Sequence, residues 1–410
     1  MKIAFITFEY PPDNGKGGIA TYTNQVCKLL SDTDDVHVFA SSSFRQEVEK
    51  DQAITVHWIL SKDPSDFRIK VVNDFTKVHS IENFDVIESA EIHGNAWEIV
   101  KRYSTLPLIV RLHAPNYLVE HLKKRYLPFW VKARFVLGAL RQGKIDLGYW
   151  RKYDKADDPD YRFACLANHL TAPSSYMKEW AVKNWQISPD RISVVANPFI
   201  HYDKLLDIPI AEKQCANEII FFGRLNVLKG LVNATKAVKK ILKEHPDWQF
   251  KIIGDDGQGP MPGTKMTMKD WMQKELEDVI NQVNFIPGFD YLQLPGLLKE
   301  GKIVLLPSLF ESFSYTCIEA MAAGKAVIGS KVGGMADLIQ HNINGLLIEP
   351  NNISEIYRAL KKMILEPDKL NVFAQRARQK VLSFDSQLLK QNYLNIYKEV
   401  VGHKGFSCNI

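Results

Sequence analysis

Short apolar runs alternate with helical patterns along most of this 410-residue chain, and this alternation limits the folds that it can adopt. A short apolar run bounded by loop residues indicates a buried strand, and strands separated by helices favour parallel sheets with crossover helices. The predicted strands fall into two groups, at residues 2–7, 36–40, 54–59, 85–88, 108–112 and 170–172, and at residues 218–222, 249–253, 283–286, 303–306, 326–329 and 345–348. The sequence therefore predicts an α/β fold with two doubly wound, Rossmann-like domains.

The rhythm breaks at residues 197–216, a stretch with two prolines and no clear periodicity. We place the linker there, which predicts domains of residues 1–200 and 201–385. A C-terminal helix at about residues 386–404 is expected to return and pack on the first domain. Ligands of such sheets bind outside the carboxyl ends of the strands, so a central cleft between the domains is the expected site. The pattern alone also allows a periplasmic-binding-protein type of fold.

Glu311 and Glu319, with seven residues between them, belong to the segment 309–324, which follows a predicted strand. Its apolar spacing predicts a helix that Gly324 ends, so Glu311 lies in the strand-to-helix loop and Glu319 about two turns along the helix. The amides at residues 314–316 form a natural phosphate site. An acid, a phosphate site and a second acid in this order suit a sugar, a diphosphate and a ribose. On spacing alone, the two glutamates fit ordinary helix decoration equally well, since acids favour helix N-termini.

Two glycine-containing loops follow the strands that begin the two domains. In residues 222–230, Gly223 permits a tight turn, Arg224 can bind a phosphate through two hydrogen bonds, and Lys229 adds a second positive charge. Residues 15–18, with the sequence Gly-Lys-Gly-Gly, precede a predicted helix, where a glycine-rich turn forms an anion site. This turn lacks the Gly-x-Gly-x-x-Gly pattern, so dinucleotide binding fits poorly. Taken alone, each loop also fits an ordinary surface turn with solvated charges.

His113 ends a predicted strand and is expected to point into the cleft and contact a bound sugar, although a lone histidine is more often structural. Asp32-Thr-Asp34 and Asp158-Pro-Asp160 match an Asp-x-Asp metal-binding pattern. Neither follows an apolar strand in a suitable context, and we interpret both as solvated loops. We therefore expect no metal site in this chain.

Cysteine usage and apolar runs favour a cytoplasmic protein. The five cysteines are odd in number, scattered and outside any Cys-x-x-Cys cluster, which favours reduced thiols and argues against a structural zinc site. The N-terminal apolar run is too short for a signal peptide, and no window approaches the ~18 apolar residues of a spanning helix.

Residues 121–155 concentrate the positive charge of the chain. Ten Lys or Arg stand there against two Asp, a net charge of +8 in a chain whose total is +5. From Phe129, the residues Ala133, Val136, Leu137 and Leu140 share one helical face, and such a basic amphipathic helix suits an anionic membrane surface. The alternative is that this apolar face packs on the core of the first domain and the charges are solvated. Nucleic acid is not expected as a partner, because no recognition module surrounds the segment.

Together these loops resemble the retaining nucleotide-sugar glycosyltransferases of the GT-B class, specifically glycosyltransferase family four (glycosyl transferases group 1). The resemblance is strong in residues 218–350 and looser in residues 1–200. It rests on the order of these elements: the Gly17-Gly18 turn, His113, Ala172-Pro-Ser174, Asn197-Pro198, the loop from Gly223 to Gly230, Gly254-Asp-x-Gly257, and Glu311 with Glu319.

The resemblance implies a role for each matching residue. Donor contacts are implied for Gly17, Gly18, Gly223, Arg224, Lys229, Phe313, Ser314, Tyr315, Thr316, Glu319 and Gly288, and catalytic roles for Glu311, His113, Arg224 and Lys229. Arg224 and Lys229 would hold the donor diphosphate, and Glu319 the ribose hydroxyls. Glu311 would lie near the anomeric carbon, and His113 would touch the donor sugar from the other domain.

Further implications concern the base and the mechanism. The turn at residues 285–289 would give backbone contacts to the base, whereas Asp337 stands where the family more often has Glu. Family members retain anomeric configuration, which implies same-face attack assisted by the leaving phosphate, while a covalent role for Glu311 stays open. No cofactor and no metal are expected, since the nucleotide-sugar is a co-substrate and cations stabilise its diphosphate.

The function implied is a retaining, metal-independent hexosyltransferase. It would move a sugar from a nucleotide-sugar such as a UDP-sugar to a hydroxyl of a glycan or lipid-linked acceptor, in cell-surface polysaccharide synthesis. The protein would be cytoplasmic, with peripheral attachment to the inner face of the membrane through residues 121–155. The alternatives are a non-catalytic nucleotide-sugar sensor or scaffold, and a phosphorylase or epimerase of the same architecture.

Overall fold

The computed structural model describes residues 1–15, 17–125, 129–143, 153–200, 203–210, 215–256, 261, 264–288, 291–384 and 386–402, with the backbone alone at 130 and 291. It divides into two compact units, the first of Met1–Val119, Tyr153–Ile200 and Asp385–Ile410, the second of Glu120–Lys152 and His201–Phe384. The described residues of 120–152 thus group with the second unit, whereas the sequence places them in the first domain. This segment nearly coincides with the basic residues 121–155, a change in composition that the sequence analysis did not take as a domain boundary.

The first unit contains an eight-stranded sheet of order β3-β4-β2-β1-β5-β6-β7-β8. Its strands are β1 Lys2–Thr7, β2 Asp35–Ser42, β3 Glu47–Asp51, β4 Ile54–Leu60, β5 Val86–Ala90, β6 Leu108–Arg111, β7 His169–Ala172 and β8 Ile192–Val194. All neighbours pair in parallel except β3, which is antiparallel to β4. The sequence analysis missed β3 and β8, because β3 is a charged, mostly exposed edge strand and β8 has only three residues.

The second unit contains a six-stranded sheet of order β11-β10-β9-β12-β13-β14, parallel throughout. Its strands are β9 Glu218–Phe222, β10 Gln249–Ile253, β11 Val283–Ile286, β12 Ile303–Leu306, β13 Ala326–Ser330 and β14 Leu346–Ile348. The first four have the predicted bounds. Strand order reverses between β9 and β12, so the chain leaves these two neighbouring strands in opposite directions, and in open α/β sheets a ligand crevice lies outside the carboxyl ends of such strands.

Most helices lie between these strands in the chain, and the last three follow β14. They are α1 Gly18–Leu30, α2 Pro64–Glu82, α3 Trp97–Arg102, α4 Asn116–Arg125, α5 Phe129–Arg141, α6 Pro159–Leu166, α7 Ser175–Trp185, α8 Asp203–Leu206, α9 Leu231–Glu244, α10 Met268–Glu275, α11 Leu294–Lys299, α12 Tyr315–Ala322, α13 Met335–Leu338, α14 Ile353–Leu365, α15 Pro367–Leu382 and α16 Ser386–Gly402. Local signals fix their ends: α2 begins with Pro64 after an Asp63 cap and ends at Asn83 in the left-handed conformation. Among the described residues, no helix has the length and apolar character that crossing a bilayer requires.

The C-terminal helix α16 is part of the first unit's core. Tyr393 and Tyr397 are fully buried in a cluster with residues of β1, β2 and β5. The Tyr397 hydroxyl donates a hydrogen bond to the buried carboxylate of Glu88 in β5, and the Tyr22 hydroxyl donates another at 2.6 Å. Burial raises the pKa of Glu88, and these two donors oppose that rise. The hydrogen bonds therefore join the last helix to the middle of the sheet.

We expect Tyr397→Phe to lower the free energy of unfolding by about 1–3 kcal/mol, because it removes a donor from a buried carboxylate. Chemical denaturation measures this loss. The matched control is Tyr357→Phe, which breaks an exposed Tyr–Glu contact to Glu244 at 2.8 Å and should cost far less. Equal losses in the two variants would contradict a structural role for the buried network.

Candidate functional site

Two loops of the second unit meet where the strand order reverses. One follows β9 and the other follows β12, and the Leu309 amide donates to the Leu228 carbonyl at 2.7 Å to join them. Gly230 has a φ of +71°, and a Cβ there would lie 1.8 Å from the Pro307 carbonyl oxygen. Only glycine fits such an approach. The β9 and β12 loops are thus held together by their backbones before any side chain contributes.

Lys229 and Glu311, one from each loop, form an ion pair through Nζ and Oε1. The Ser308 hydroxyl also donates to Glu311 Oε1, at 3.0 Å. The two charged side chains are 26% and 13% exposed, so water screens the pair only in part. The family resemblance implies separate contacts for these two residues, from Lys229 to the donor diphosphate and from Glu311 to the donor sugar. The structure brings the two residues together.

The backbone of Glu311 is fixed from a third loop, the one after β13. The Gly334 amide donates to the Glu311 carbonyl at 3.0 Å. Gly333 has a φ of +54°, and a Cβ at this position would lie 1.4 Å from that same carbonyl oxygen. Asp337, two residues into α13, is exposed. Three successive loops at the carboxyl edge of the sheet therefore position one carboxylate.

Helix α12 starts beside this pair. Ser314 caps it by accepting from the Cys317 amide at 3.2 Å, and its hydroxyl lies 3.0 Å from that of Thr316. The first-turn amides of a helix, here at Tyr315 and Thr316, have no acceptor within the helix and carry its positive end. Glu319 lies a turn further on and is 93% buried, with only 7% of its surface exposed. The loop acid, the first-turn amides and the buried acid thus follow one another in one continuous segment, and their contacts to a sugar, a phosphate and a ribose stay predictions.

Phe313 completes the segment that precedes the helix. Its ring meets the Tyr315 ring edge to face, with centroids 5.5 Å apart. Both residues are partly buried, which limits their rotamers. The peptide groups between Glu311 and Tyr315 are therefore held between an anchored carbonyl and a packed aromatic pair.

Hydrogen bonds and close backbone contacts hold the loops after β9, β10 and β11 beside one another. Gly223, at a φ of +135°, donates its amide to the Ile253 carbonyl at 2.9 Å, and the carbonyl of Gly223 would lie 2.0 Å from a Cβ on Gly254. Asp255 accepts from the amide of Gly288 at 2.8 Å. Arg224 is exposed and forms no ion pair within the described part of the chain. Gly257 and residue 289, which the sequence analysis included in these loops, lie outside the described residues.

A pocket of about 560 Å³ opens beside the last of these turns. Gly288 and Pro287 form part of its wall, and Leu292 and Leu297 of the following helical segment form another part. This is the turn for which the sequence analysis predicts backbone contacts to a base. A largely apolar recess lined by the Pro287–Gly288 turn suits a planar heterocycle, and backbone contacts to a base stay a prediction.

In the first unit, the glycine turn precedes α1 as predicted. Gly17 is the N-cap in an extended conformation, and Gly18 is the first helical residue. A Cβ on Gly17 would lie 3.0 Å from Glu9 Oε2, whereas one on Gly18 would meet no atom within 4 Å. Lys16 lies outside the described residues. Gly17 itself gives the helix no side-chain cap, and the donor contact expected at this turn stays a prediction.

His113 follows β6 and is only 7% exposed, packed edge to face on Tyr22 at 5.2 Å. Burial, with a smaller effect from Arg111, lowers the pKa of His113 to about 3. The imidazole is therefore neutral at physiological pH. A neutral ring can donate or accept a hydrogen bond, but it supplies no positive charge. Whether it contacts a donor sugar stays a prediction.

Two buried acids, which the sequence analysis did not select, hold the loop that carries His113. Glu91 is fully buried, and both of its carboxylate oxygens accept from the His113 amide at 2.9 Å. The Ala114 amide also bonds to it. Asp160 is 1% exposed and accepts from the Asn116 amide at 2.7 Å. Since residue 115 is a proline without an N–H, carboxylates receive every amide of this loop from 113 to 116.

The interpretation of Asp158-Pro-Asp160 as a solvated loop is wrong. Asp158 caps helix α6 by accepting from the Asp160 amide at 3.0 Å, and both aspartates are buried. Pro159 occupies the first helical position, so Asp-Pro-Asp is a helix start, a signal that was present in the sequence. No comparable signal marked Glu91, which ends an apolar strand and follows two small residues.

Asp160 affects the protonation of Glu91. Burial first, and then the charge of Asp160, raises the pKa of Glu91 to about 8. Burial raises the pKa of Asp160 to about 6. Between pH 4.5 and 8 the folded state keeps a proton on Glu91 that the unfolded chain releases, so stability falls as pH rises through this window and is level above it.

Glu91→Gln mimics the protonated acid and should abolish this dependence. We expect the unfolding free energy of the wild type, relative to the variant, to fall by about 1.4 kcal/mol per pH unit between pH 6 and 8. Urea denaturation across this range measures it. Glu98→Gln, a half-exposed position 3.6 Å from Lys101, serves as control and should change stability only slightly. A difference between wild type and Glu91→Gln that is constant with pH would contradict the retention of a proton on buried Glu91.

Sequence profiles of two related families match the two parts of this chain. The profile described as Glycosyltransferase Family 4 matches residues 16–199, and the profile described as Glycosyl transferases group 1 matches residues 207–380. The chain is 29% identical to an uncharacterized glycosyltransferase of Methanocaldococcus jannaschii, over 98% of its own length and 97% of that protein.

A glycogen synthase of Mycobacterium tuberculosis is 26% identical over 183 residues, which are 44% of this chain and 42% of that enzyme. The matched region thus spans less than half the length of this curated relative. The structure of Anabaena HepE in complex with UDP-glucose superposes with a TM-score of 0.69 at 18% identity, covering 97% of this chain and all of that one. At this identity the likeness shows the fold. The chain belongs to glycosyltransferase family 4 and has the GT-B fold.

Proposed function

We propose that this protein is a retaining hexosyltransferase that moves a sugar from a UDP-sugar to a hydroxyl of a glycan or lipid-linked acceptor in cell-surface polysaccharide synthesis. One observation carries the proposal. The Lys229–Glu311 ion pair lies at the strand-order reversal of the second unit, beside the N-terminus of α12. A cation, an acid and helix amides at that edge match the charges of a sugar diphosphate.

Donor binding would divide the ion pair. Diphosphate oxygens compete with Glu311 for the Lys229 ammonium, and Arg224 on the same loop is exposed and available for a bidentate contact. Glu311, released from its partner, then faces the developing positive charge at the anomeric carbon. Lys229, Arg224 and the α12 amides stabilise the departing diphosphate, so the proposed mechanism requires no metal ion.

The remaining contacts follow from position along the same edge. Glu319, buried a turn into α12, has a carboxylate suited to two ribose hydroxyls. The recess beside Gly288 suits the base. A protein of the same fold has been captured with UDP-glucose, which supports uridine as the base. His113, neutral and held by Glu91, is proposed to hydrogen-bond the sugar, with the Gly17–Gly18 turn as an additional donor contact.

We expect Arg224→Ala to reduce sugar transfer or donor hydrolysis by about 100-fold or more, because it removes charge stabilisation of the leaving group. Lys229→Met and Glu311→Gln should each lose activity too, and their double variant should lose less than the product of the two, since the residues act as a pair. Turnover of UDP-glucose, GDP-mannose and ADP-glucose measures this. Arg358→Ala, an exposed arginine on α14, is the matched control.

Three outcomes would count against parts of this proposal. Donor binding without hydrolysis or transfer would favour the alternative of a nucleotide-sugar sensor. Phosphorolysis or epimerisation of the donor would favour the other enzymes of this architecture. Inversion at the anomeric carbon, read from the proton NMR spectrum of the first product, would exclude retention. Thermal shifts with the same donors report binding separately, because bound ligand stabilises the folded state.

We also propose that α5 attaches the protein to an anionic membrane surface at the inner face of the cytoplasmic membrane. Three large apolar residues of its predicted face are exposed, Phe129 at 85%, Leu137 at 59% and Leu140 at 63%, whereas Ala133 and Val136 are partly buried. These three side chains are therefore not packed on a core, as the alternative interpretation of the sequence requires. Lys132 and Arg134 lie among them, and basic side chains flanking an exposed apolar stripe attract anionic headgroups.

The test is flotation with vesicles that contain anionic phospholipid, at low salt. The triple variant Phe129→Ser, Leu137→Ser, Leu140→Ser should stay with the unbound protein while the wild type floats. A control triple of Ile69, Leu365 and Leu382 to Ser, at 66%, 61% and 62% exposure, should float like the wild type. Absence of wild-type binding would exclude membrane attachment.

A further inference from the structure

A second cluster of chemically capable side chains lies at the amino edge of the first unit's sheet, away from the carboxyl-edge loops of Gly17 and His113. Asp35 and His37 are at the start of β2, and Glu82 is the last residue of α2. Each offers one ligand atom, and these atoms lie within 4.8 Å of one another. An open cavity of about 410 Å³ adjoins them.

The separation of two of the donor atoms matches a tetrahedral metal site. A tetrahedral zinc ion with ligands at ~2.1 Å keeps neighbouring ligand atoms ~3.4 Å apart. His37 Nε2 and Asp35 Oδ1 are separated by 3.4 Å. One imidazole and two carboxylates are ligands that zinc accepts, and they leave its fourth position to water. Glu82 also ends a helix, where the C-terminal carbonyls favour a cation.

His57 supports the ligand role of His37. Its Nε2 lies 2.9 Å from His37 Nδ1, and the two buried rings stack with an interplanar angle of 18°. When His37 donates its Nδ1–H to His57, the lone pair of His37 Nε2 points toward Asp35. Metal-bound histidines are oriented in this way by a second acceptor on the other ring nitrogen.

The ammonium group of Lys2 lies beside one of the proposed ligands, Glu82. Lys2 Nζ lies 2.6 Å from Glu82 Oε2, while the Lys2 side chain is 40% exposed and can therefore move into solvent. Lys50 and Lys77 also line the cavity, but both are exposed and well hydrated. Lys2 is thus the cation that a metal ion would have to displace, and this competition gives the site a testable signature.

We propose that Asp35, His37 and Glu82 form a binding site for a divalent transition-metal ion with the ligand preferences of zinc, in competition with Lys2. The ion would join the start of β2 to the end of α2 and so stabilise the first unit. It shares no residue with the proposed donor site, and the proposal is independent of the transfer reaction. The Cys-based motifs considered from the sequence could not reveal it, because its ligands are a histidine and two acids brought together by the fold.

The test uses the full chain after chelation and dialysis, titrated with zinc chloride by calorimetry and followed by thermal unfolding. Asp35→Asn and Glu82→Gln each change one proposed ligand, and each should weaken zinc binding at least 10-fold. The two side chains are 46% and 30% exposed, so we expect both variants to fold. Lys2→Gln should strengthen it several-fold, because the competing ammonium is gone. Glu98→Gln is the control that should leave zinc affinity unchanged.

Cobalt(II) provides a readout independent of stability, since a tetrahedral site gives visible absorption bands that the Asp35→Asn variant should lose. The proposal is overturned if the wild type binds no zinc and shows no cobalt bands. It is equally overturned if zinc affinity is the same in the wild type and in an Asp35→Asn, Glu82→Gln double variant, since the metal would then lie elsewhere. Weaker zinc binding in Lys2→Gln would also contradict it, because Lys2 would then not be a competitor.

Discussion

The reversal of strand order between β9 and β12 is the constraint on which the second unit's site depends. Because the chain leaves β9 on one side of the sheet and later returns through β12 on the other, the two following loops lie beside each other with no crossover helix between them. Lys229 and Glu311, 82 residues apart in sequence, meet there. A partly buried charge is costly without a partner, so in the absence of a ligand each residue neutralises the other. The same pair is then poised to open when a diphosphate arrives.

Backbone contacts, rather than side chains, set the precision of this edge. Gly230 and Gly333 lie so close to the carbonyl oxygens of Pro307 and Glu311 that a Cβ would overlap them. Both have positive φ angles, which glycine adopts without strain. The backbone position of Glu311 is therefore set mainly by main-chain contacts and little by side-chain rotamers. Only its terminal carboxylate is left to exchange between Lys229, Ser308 and a ligand.

Sequence reasoning succeeded where the signal is local. Four strands of the second unit begin and end where their apolar runs do, and Ser314 caps α12 where the helical spacing starts. It failed where the outcome depends on which segments become neighbours. The Lys229–Glu311 ion pair forms only because β9 and β12 are neighbours in the sheet. The periodicity of apolar residues along the sequence does not indicate the order of strands in a sheet. Glu91 looks like the polar end of a strand, yet it is fully buried, and its carboxylate accepts the amides of His113 and Ala114.

The side chains predicted to act on the donor differ in charge between the two units. At the carboxyl edge of the first unit, burial keeps His113 neutral and holds a proton on Glu91 near pH 7, so the His113 ring can offer a hydrogen bond without formal charge. At the edge of the second unit, Lys229 and Glu311 are charged and partly exposed, with Arg224 open to solvent. Breaking a sugar–phosphate bond creates a cation and an anion, and fixed charges stabilise them best when they need no reorganisation. The proposed chemistry therefore places the stabilisation of both ions on the second unit, and leaves the first unit the task of positioning neutral hydroxyls.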